Sequence, residues 1–215
     1  MSIDILKVNW KFPVDEVYVL ATGPNGVPHY NRIPKDARLI GVNQAIDIHE
    51  IYDVPMAIWL CADGTLPKQE WFTNKVDKVI AAGALLSDVT SPTACFSTGL
   101  LLNTYPDVPY YFTHGYTLRE DPKFSPLKGM LRSGGSITAQ GVQLAYWLGA
   151  KRIVLVGADM TGDMYFNKAK NLNPRLKPDG VSLHCRMLNG LCQWLKVRGT
   201  EVVSLSATAL NVEVI

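Results

Sequence analysis

The succession of elements along the chain predicts an α/β fold: a single Rossmann-like domain over residues 1–215, with a mostly parallel sheet, helices on both faces and a small irregular lid. Three observations carry this expectation. Short β-forming runs alternate with helical patterns through brief connections, as parallel strands joined by crossover helices require. The run Ile153 to Val156 is apolar without alternation, the pattern of a strand covered on both faces. The stretch 133–160, SGGSITAQGVQLAYWLGAKRIVLVGADM, reads as a complete loop, helix, turn and buried strand.

In chain order, Val17 to Ala21 (VYVLA) is a β-rich run that turns at once into Thr22, Gly23, Pro24, Asn25 and Gly26. Gly23 and Gly26 let the backbone approach a ligand closely, although the spacing is neither the dinucleotide fingerprint nor a P-loop. A second run, Arg38 to Val42, ends at Asn43 and Gln44, and a third, Pro55 to Leu60, ends at Cys61, Ala62 and Asp63. In an open α/β sheet ligands collect at such carboxyl ends, while any one of them taken singly is equally a satisfied turn. Lys68 to Lys75 predicts a short helix, Lys78 to Ala81 a strand, and Pro109 to Phe112 a strand or edge segment. Residues 113–132 read as an irregular excursion over the ligand edge, carrying His114 and Arg132. The donor fork of Arg132 suits a phosphate, and equally a surface ion pair.

The central helix follows from Ile137, Gly141, Leu144, Ala145 and Leu148, which share one face of a 3.6-residue period, with Gly149 as its stop. Ile153 to Val156 is then an unbroken apolar strand whose end delivers Gly157, Ala158 and Asp159. Ahead of the helix, Ser133, Gly134, Gly135 and Ser136 leave backbone N–H groups for an anion; the alternative is that Ser136 is simply an N-cap. Convergence of this turn with Thr22–Gly26 and Asn43 on one sheet edge favours the phosphate reading. Asp159 is placed either to anchor its loop or to meet a ligand. Residues 161–180 are rich in lysine, asparagine and proline and read as an exposed lid. A helix then runs from Ser182 to Arg198 with Leu183, Met187, Leu191, Trp194 and Leu195 as its buried stripe, and Glu201 to Leu205 is the last strand.

Composition narrows the classes. A chain of 215 residues, 47% hydrophobic and 19% charged, can bury one large core. A net charge of +2 with scattered basic residues argues against a nucleic-acid partner. No apolar run reaches the roughly 18 residues of a membrane span, and the opening MSIDILKVNWKF has no signal-peptide pattern, so a cytoplasmic location is expected. Cys61, Cys95, Cys185 and Cys192 form no C-x-x-C pair; neither a disulfide nor a metal site is expected of them.

The blocks VYVLATGPNG, LIGVNQAI and SGGSITAQGVQLAYWLGAKRIVLVGADM followed by MYF resemble two related groups. One is the family 42 bacterial sialyltransferases, and the other is the Rossmann-like group that includes archaeal 6-hydroxymethylpterin diphosphokinases. The first resemblance implies a nucleotide-dependent transferase that moves a sugar from a CMP-sugar donor to an acceptor hydroxyl without a further cofactor. It assigns Thr22, Gly23, Asn25, Asn43 and Gln44 to the nucleotide, together with the turn at Ser133 to Ser136; Thr22 stands where an asparagine is expected. It also implies that Tyr165 stabilises the donor phosphate and that His184 is the catalytic base. The residues alone leave His184 equally able to face solvent or cap a helix start. The second resemblance implies pyrophosphoryl transfer from ATP with Mg²⁺, held by Asp63, Asp159 and Asp163, with Arg132, Lys168 and Lys170 on phosphates. A nucleotide- or glycan-binding module without catalysis is the third reading. The expected partners are an activated small-molecule donor and an acceptor, and the resemblance adds a homo-oligomer by analogy.

Overall fold

In the computed structural model, residues 2–97, 99–115, 129–133, 136–160, 166–167 and 178–215 are described, with backbone alone for 178–182. Among them, nine strands form one sheet in the order β1-β6-β5-β4-β3-β2-β9-β10-β11. These are β1 (Ile3–Asp4), β2 (Glu16–Leu20), β3 (Arg38–Val42), β4 (Ile58–Cys61), β5 (Thr93–Ser97), β6 (Tyr110–Phe112), β9 (Arg152–Val156), β10 (Glu201–Ser204) and β11 (Glu213–Val214). Every pairing in this sheet is parallel. A separate two-stranded ribbon pairs β7 (His114–Gly115) with β8 (Leu131–Arg132).

The helices are α1 (Ala45–Tyr52), α2 (Glu70–Ala82), α3 (Leu100–Thr104), α4 (Ile137–Trp147) and α5 (Pro178–Lys196), joined by a 3₁₀ helix at Pro24–Arg32. They cover both sheet faces, and strand alternation decides which side chains meet which layer. Val17, Val19, Ile40, Val42, Ile153 and Leu155 pack with α4 and α5 in one core, while Tyr18, Leu20, Leu39, Trp59, Val154 and Val156 pack with α1, α2 and α3 in the other. The expected α/β class, parallel sheet and two-sided helical cover are all present. No described helix is long and apolar enough to cross a membrane.

Some elements differ from the sequence reading. Lys78 to Ala81 are the last turn of α2 and not a strand. Phe72, Val76, Val79 and Ile80 fall at i, i+4, i+7 and i+8, the first two buried in the second core and the others packed against it, so the helical period prevails over the β-branched pair. Strand β5 lies where no element was expected, and β11 follows the strand read as the last. The helix read from Ser182 begins at Pro178, with proline in its first turn, where a missing N–H costs nothing.

Candidate functional site at the strand switch point

The chain enters the sheet's centre through β2 and then builds outward on one side through β3, β4, β5 and β6. Its second half returns to the opposite side of β2 as β9 and continues through β10 to β11. Strand order therefore reverses between β2 and β9, and the carboxyl ends of these two strands open the crevice in which such sheets bind ligands.

The loops leaving β2 and β9 interlock. Gly23 N–H donates to Gly157 O at 2.8 Å and Ala21 N–H to Val156 O at 2.9 Å. A Cβ on Gly23 would stand 2.5 Å from Asp159 Cγ and 2.6 Å from Gly157 O, and one on Gly26 would stand 2.9 Å from Gly157 Cα. The close approach that these glycines permit is thus to the neighbouring loop. Gly157 itself has φ of +65°, which favours glycine.

Asp159 is 4% exposed, and its Oδ2 accepts the Asn25 N–H at 2.9 Å. That amide belongs to the first turn of the 3₁₀ helix, so the carboxylate occupies a position where an anion is favoured. Asp159 accordingly anchors the loops. Burial raises its pKa and the Asn25 N–H opposes the rise, while Oδ1 has no partner among the described residues. Tyr30, behind Gly26, has its phenol pKa raised by burial first, then by Tyr52 and Asp159. Asn25 is exposed, and its side-chain amide donates to Ala207 O at 3.1 Å.

Asn43 lies level with Thr22, because β2 and β3 pair Leu20 with Gly41. Its φ of +46° is a left-handed backbone that asparagine tolerates better than most residues. The strained position is held by Asn43 N–H donating to Leu60 O at 3.0 Å and by the Trp59 indole donating to Asn43 O at 2.7 Å. The side-chain Oδ1 is buried without a partner among the described residues. Gln44 follows at the start of α1 and makes no capping bond with its side chain. One strand further out, exposed Asp63 spends Oδ1 on Thr65 N–H and Thr65 Oγ1, both at 2.9 Å, in a self-contained turn.

Helix α4 brings its N-terminus to the same edge. Its carboxyl end sits at the amino end of β2, since Phe12 N–H donates to Leu148 O and Lys151 N–H to Asp15 O. Gly141, midway along, lies against Val19 and Val42, where a Cβ would stand 3.0 Å and 3.3 Å from their Cγ1 atoms. Ser136 caps the helix by accepting Thr138 N–H at 3.1 Å, and its own N–H donates to Ser133 O at 2.8 Å. Ser133 N–H donates to Gly115 O at 2.9 Å. The backbone N–H groups of both serines are therefore used within the protein, one in the turn and one on the ribbon, and what Ser136 retains is a hydroxyl proton. Gly134 and Gly135 lie outside the described residues.

The ribbon β7–β8 is pinned to α4 by two buried glutamines that the sequence reading did not single out. Gln143 accepts Arg132 N–H at 3.0 Å through Oε1 and donates to Arg132 O at 2.7 Å through Nε2, gripping that residue's backbone. Gln140 Nε2 donates to His114 Nδ1 at 2.9 Å, which places the imidazole proton on Nε2. Both glutamines are essentially inaccessible. A polar pair on an otherwise apolar helix was the available signal, because buried amides are retained where partners exist to satisfy them.

His184 sits within α5, not ahead of it, on the face shared by Leu188, Leu191 and Leu195. It is half-buried and too far into the helix to cap its start, and burial lowers its pKa, so the neutral imidazole prevails at neutral pH. The next residue, Cys185, contacts Met160 O at 3.9 Å, which places this turn beside the loop carrying Asp159. Tyr165, Asp163, Lys168 and Lys170 lie outside the described residues. Phe166, directly after Tyr165, is buried and donates its N–H to Thr22 O at 2.7 Å.

The structure thus gathers Thr22, Gly23, Asn25, Asn43, Ser136, Asp159 and His184 at one sheet edge. Of the carboxylates considered for Mg²⁺, Asp63 is turned into its own loop and Asp159 into the protein, and among the described residues no group of three or more His, Cys, Asp or Glu could hold a metal ion. The cysteines are free, with Cys61, Cys95 and Cys192 buried. A groove of about 500 Å³ between α5 and the β10–β11 edge, lined by Asn189, Gln193, Lys196 and Glu213, lies away from these residues.

Neither a protein-family model nor a curated protein matches the chain. Solved structures do. A MAf glycosyltransferase from Magnetospirillum magneticum AMB-1 superposes with a TM-score of 0.60 at 14% identity, over 96% of this chain and 34% of that protein. The chain therefore spans about a third of that relative's length. The monofunctional alpha-2,3-sialyltransferase Cst-I from Campylobacter jejuni matches with a TM-score of 0.53 at 14% identity, over 93% of this chain and 79% of its own. These likenesses are of fold. They give the diphosphokinase part of the resemblance no support.

Proposed function

We propose that the chain is a glycosyltransferase that moves a sugar from a CMP-sugar to an acceptor hydroxyl at the β2–β9 crevice. The observation that carries this reading is the neutral, half-buried His184 held by α5 beside the rim of a strand switch point. An unprotonated imidazole at neutral pH is the state a general base needs. It would take the acceptor proton as the hydroxyl oxygen bonds to the anomeric carbon, while the bond from that carbon to the phosphate oxygen breaks and CMP leaves. The departing phosphate gains negative charge, which the Ser136 hydroxyl, the Arg132 guanidinium and Tyr165 would stabilise. Asn43, half-buried at this edge, would hydrogen-bond the nucleoside through its side-chain amide. The fold shared with a glycosyltransferase and a sialyltransferase supports the reaction class.

The test is a thermal-shift series with CMP, AMP and ATP, with and without Mg²⁺, alongside CMP release from a CMP-sugar. A ligand at about 100 times its Kd stabilises by about 2.7 kcal/mol, a rise of roughly 5–10 °C for a chain of this size. We expect CMP to give that shift without metal, and His184→Ala to abolish CMP release while keeping it. An ATP response that requires Mg²⁺ would replace this reading with phosphoryl chemistry. CMP binding with no turnover from any CMP-sugar would leave a binding module, and turnover unaffected by His184→Ala would remove the histidine from the mechanism.

A further inference from the structure

Three loops meet at the crevice, and one residue ties them, by its side chain to one neighbour and by its backbone to the other. Asp159, after β9, accepts the Asn25 N–H from the loop after β2 through Oδ2, and its backbone O accepts the Ala209 N–H at 3.0 Å from the loop after β10. Asn25 closes the ring by donating to Ala207 O. Two further bonds reinforce the second seam: Thr208 Oγ1 donates to Ala158 O at 2.6 Å and Gly157 N–H to Ser206 Oγ at 3.0 Å. A carboxylate this deeply buried, with one oxygen unpartnered among the described residues, is a poor choice for stability alone, since burying an incompletely paired charge is costly. What it provides is a resident anion at the start of the Pro24–Arg32 helix, bonded to an amide that no neutral aliphatic side chain could hold.

We propose that Asp159 is a positioning residue of the donor site: without touching the donor, it fixes Thr22–Asn25 through the Asn25 amide and locks that rim to the loops after β9 and β10. The proposal rests on the donor-site reading above. Two variants of the full chain test it. Asp159→Asn keeps an oxygen that can accept the Asn25 N–H; Asp159→Ala removes it. Amide hydrogen exchange at Asn25, followed by NMR, reads the loop directly and needs no ligand, while CMP affinity by calorimetry reads the consequence.

We expect Asp159→Ala, with native circular dichroism, to lose exchange protection at Asn25 and to bind CMP about tenfold more weakly, the scale of one charge-assisted hydrogen bond. Asp159→Asn restores protection and binds within about threefold of the parent protein. The proposal is overturned if folded Asp159→Ala leaves Asn25 exchange unchanged. It is overturned equally if Asp159→Asn protects Asn25 yet binds CMP as weakly as Asp159→Ala, because the carboxylate would then act on the donor itself. If the parent protein binds no CMP, the donor reading fails, and Asn25 exchange still decides whether Asp159 fixes the loop.

Discussion

Replacing Gly23 with alanine adds a single methyl group at the tightest point of the crevice. Gly23 has φ −72° and ψ 145°, which alanine adopts freely, so backbone strain plays no part. With open space around it, such a change would stabilise the protein by about 0.4–1 kcal/mol through the unfolded chain. Here the Cβ would stand 2.5 Å from Asp159 Cγ, 2.6 Å from Asp159 Oδ2 and 2.6 Å from Gly157 O. The carboxylate can withdraw only by giving up the Asn25 N–H, and the carbonyl is backbone. Overpacking costs about 1–3 kcal/mol, and a hydrogen bond to a charged group is worth about 1.5–3 kcal/mol. Because yielding at one contact relieves the other, we expect about 3 kcal/mol in place of the full sum. For a chain of this length that lowers Tm by roughly 6–12 °C. Urea unfolding should show a lower midpoint with an unchanged m-value. A Tm equal to or above that of the parent protein would refute the interlocked-loop geometry.

Other expectations follow from the same edge. Ser136→Ala removes the cap on α4 and should cost about 0.5–2 kcal/mol, measured by urea denaturation. Gln143→Leu strands the N–H and C=O of Arg132 beneath the ribbon, and should cost about 2 kcal/mol while weakening CMP binding. Burial depresses the pKa of His114 and of His184, so the unfolded chain takes up protons near pH 6.5 that the folded chain refuses. Their contribution to stability is complete above that pH and is lost as pH falls through it; urea midpoints taken from about pH 8 to pH 5 should fall, and fall less in His184→Asn. Asp159 acts in the opposite sense: its raised pKa makes the folded chain the better proton binder above the ordinary carboxylate range, so its effect on stability declines as pH rises through that window. The stability slope of Asp159→Asn against pH should therefore be shallower there than that of the parent protein.

Much of the architecture was legible because local pattern and buried layer coincide. The run RLIGV marks β3 from end to end, and Ile137 to Leu148 with Gly149 marks α4 closely, since a covered strand and a periodic helix are both local signals. Strand β5 was not legible: TACFS is wholly buried, yet its alanine, cysteine and serine carry no strong β pattern, and only pairing with β4 and β6 defines it. Two-residue strands such as β1 and β11 are too short to have a period at all. At the site, glycine and asparagine announced tight turns at Thr22–Gly26 and Asn43. They could not announce that Gly23 faces Asp159, a contact across 136 residues that follows from strand order alone. The glutamines of α4 were readable only as polar exceptions, because their partners lie on a ribbon whose existence no local pattern foretells.

The position of β2 between β3 and β9 sets an order of events during synthesis. β2 pairs with β3 almost at once, while Glu16 must wait for Arg152, 136 residues later, to acquire its partner on the other side. At about 5–20 residues per second this leaves one side of β2 open for roughly 7–27 s. During that interval an interior strand of the finished sheet is an edge strand, apolar and able to pair with another nascent chain. The arrival of β9 ends the exposure and, in the same step, brings Gly157 and Asp159 against Gly23 and Asn25. The crevice thus needs the second half of the chain, and the pairing that completes it is the one that covers the open side of β2.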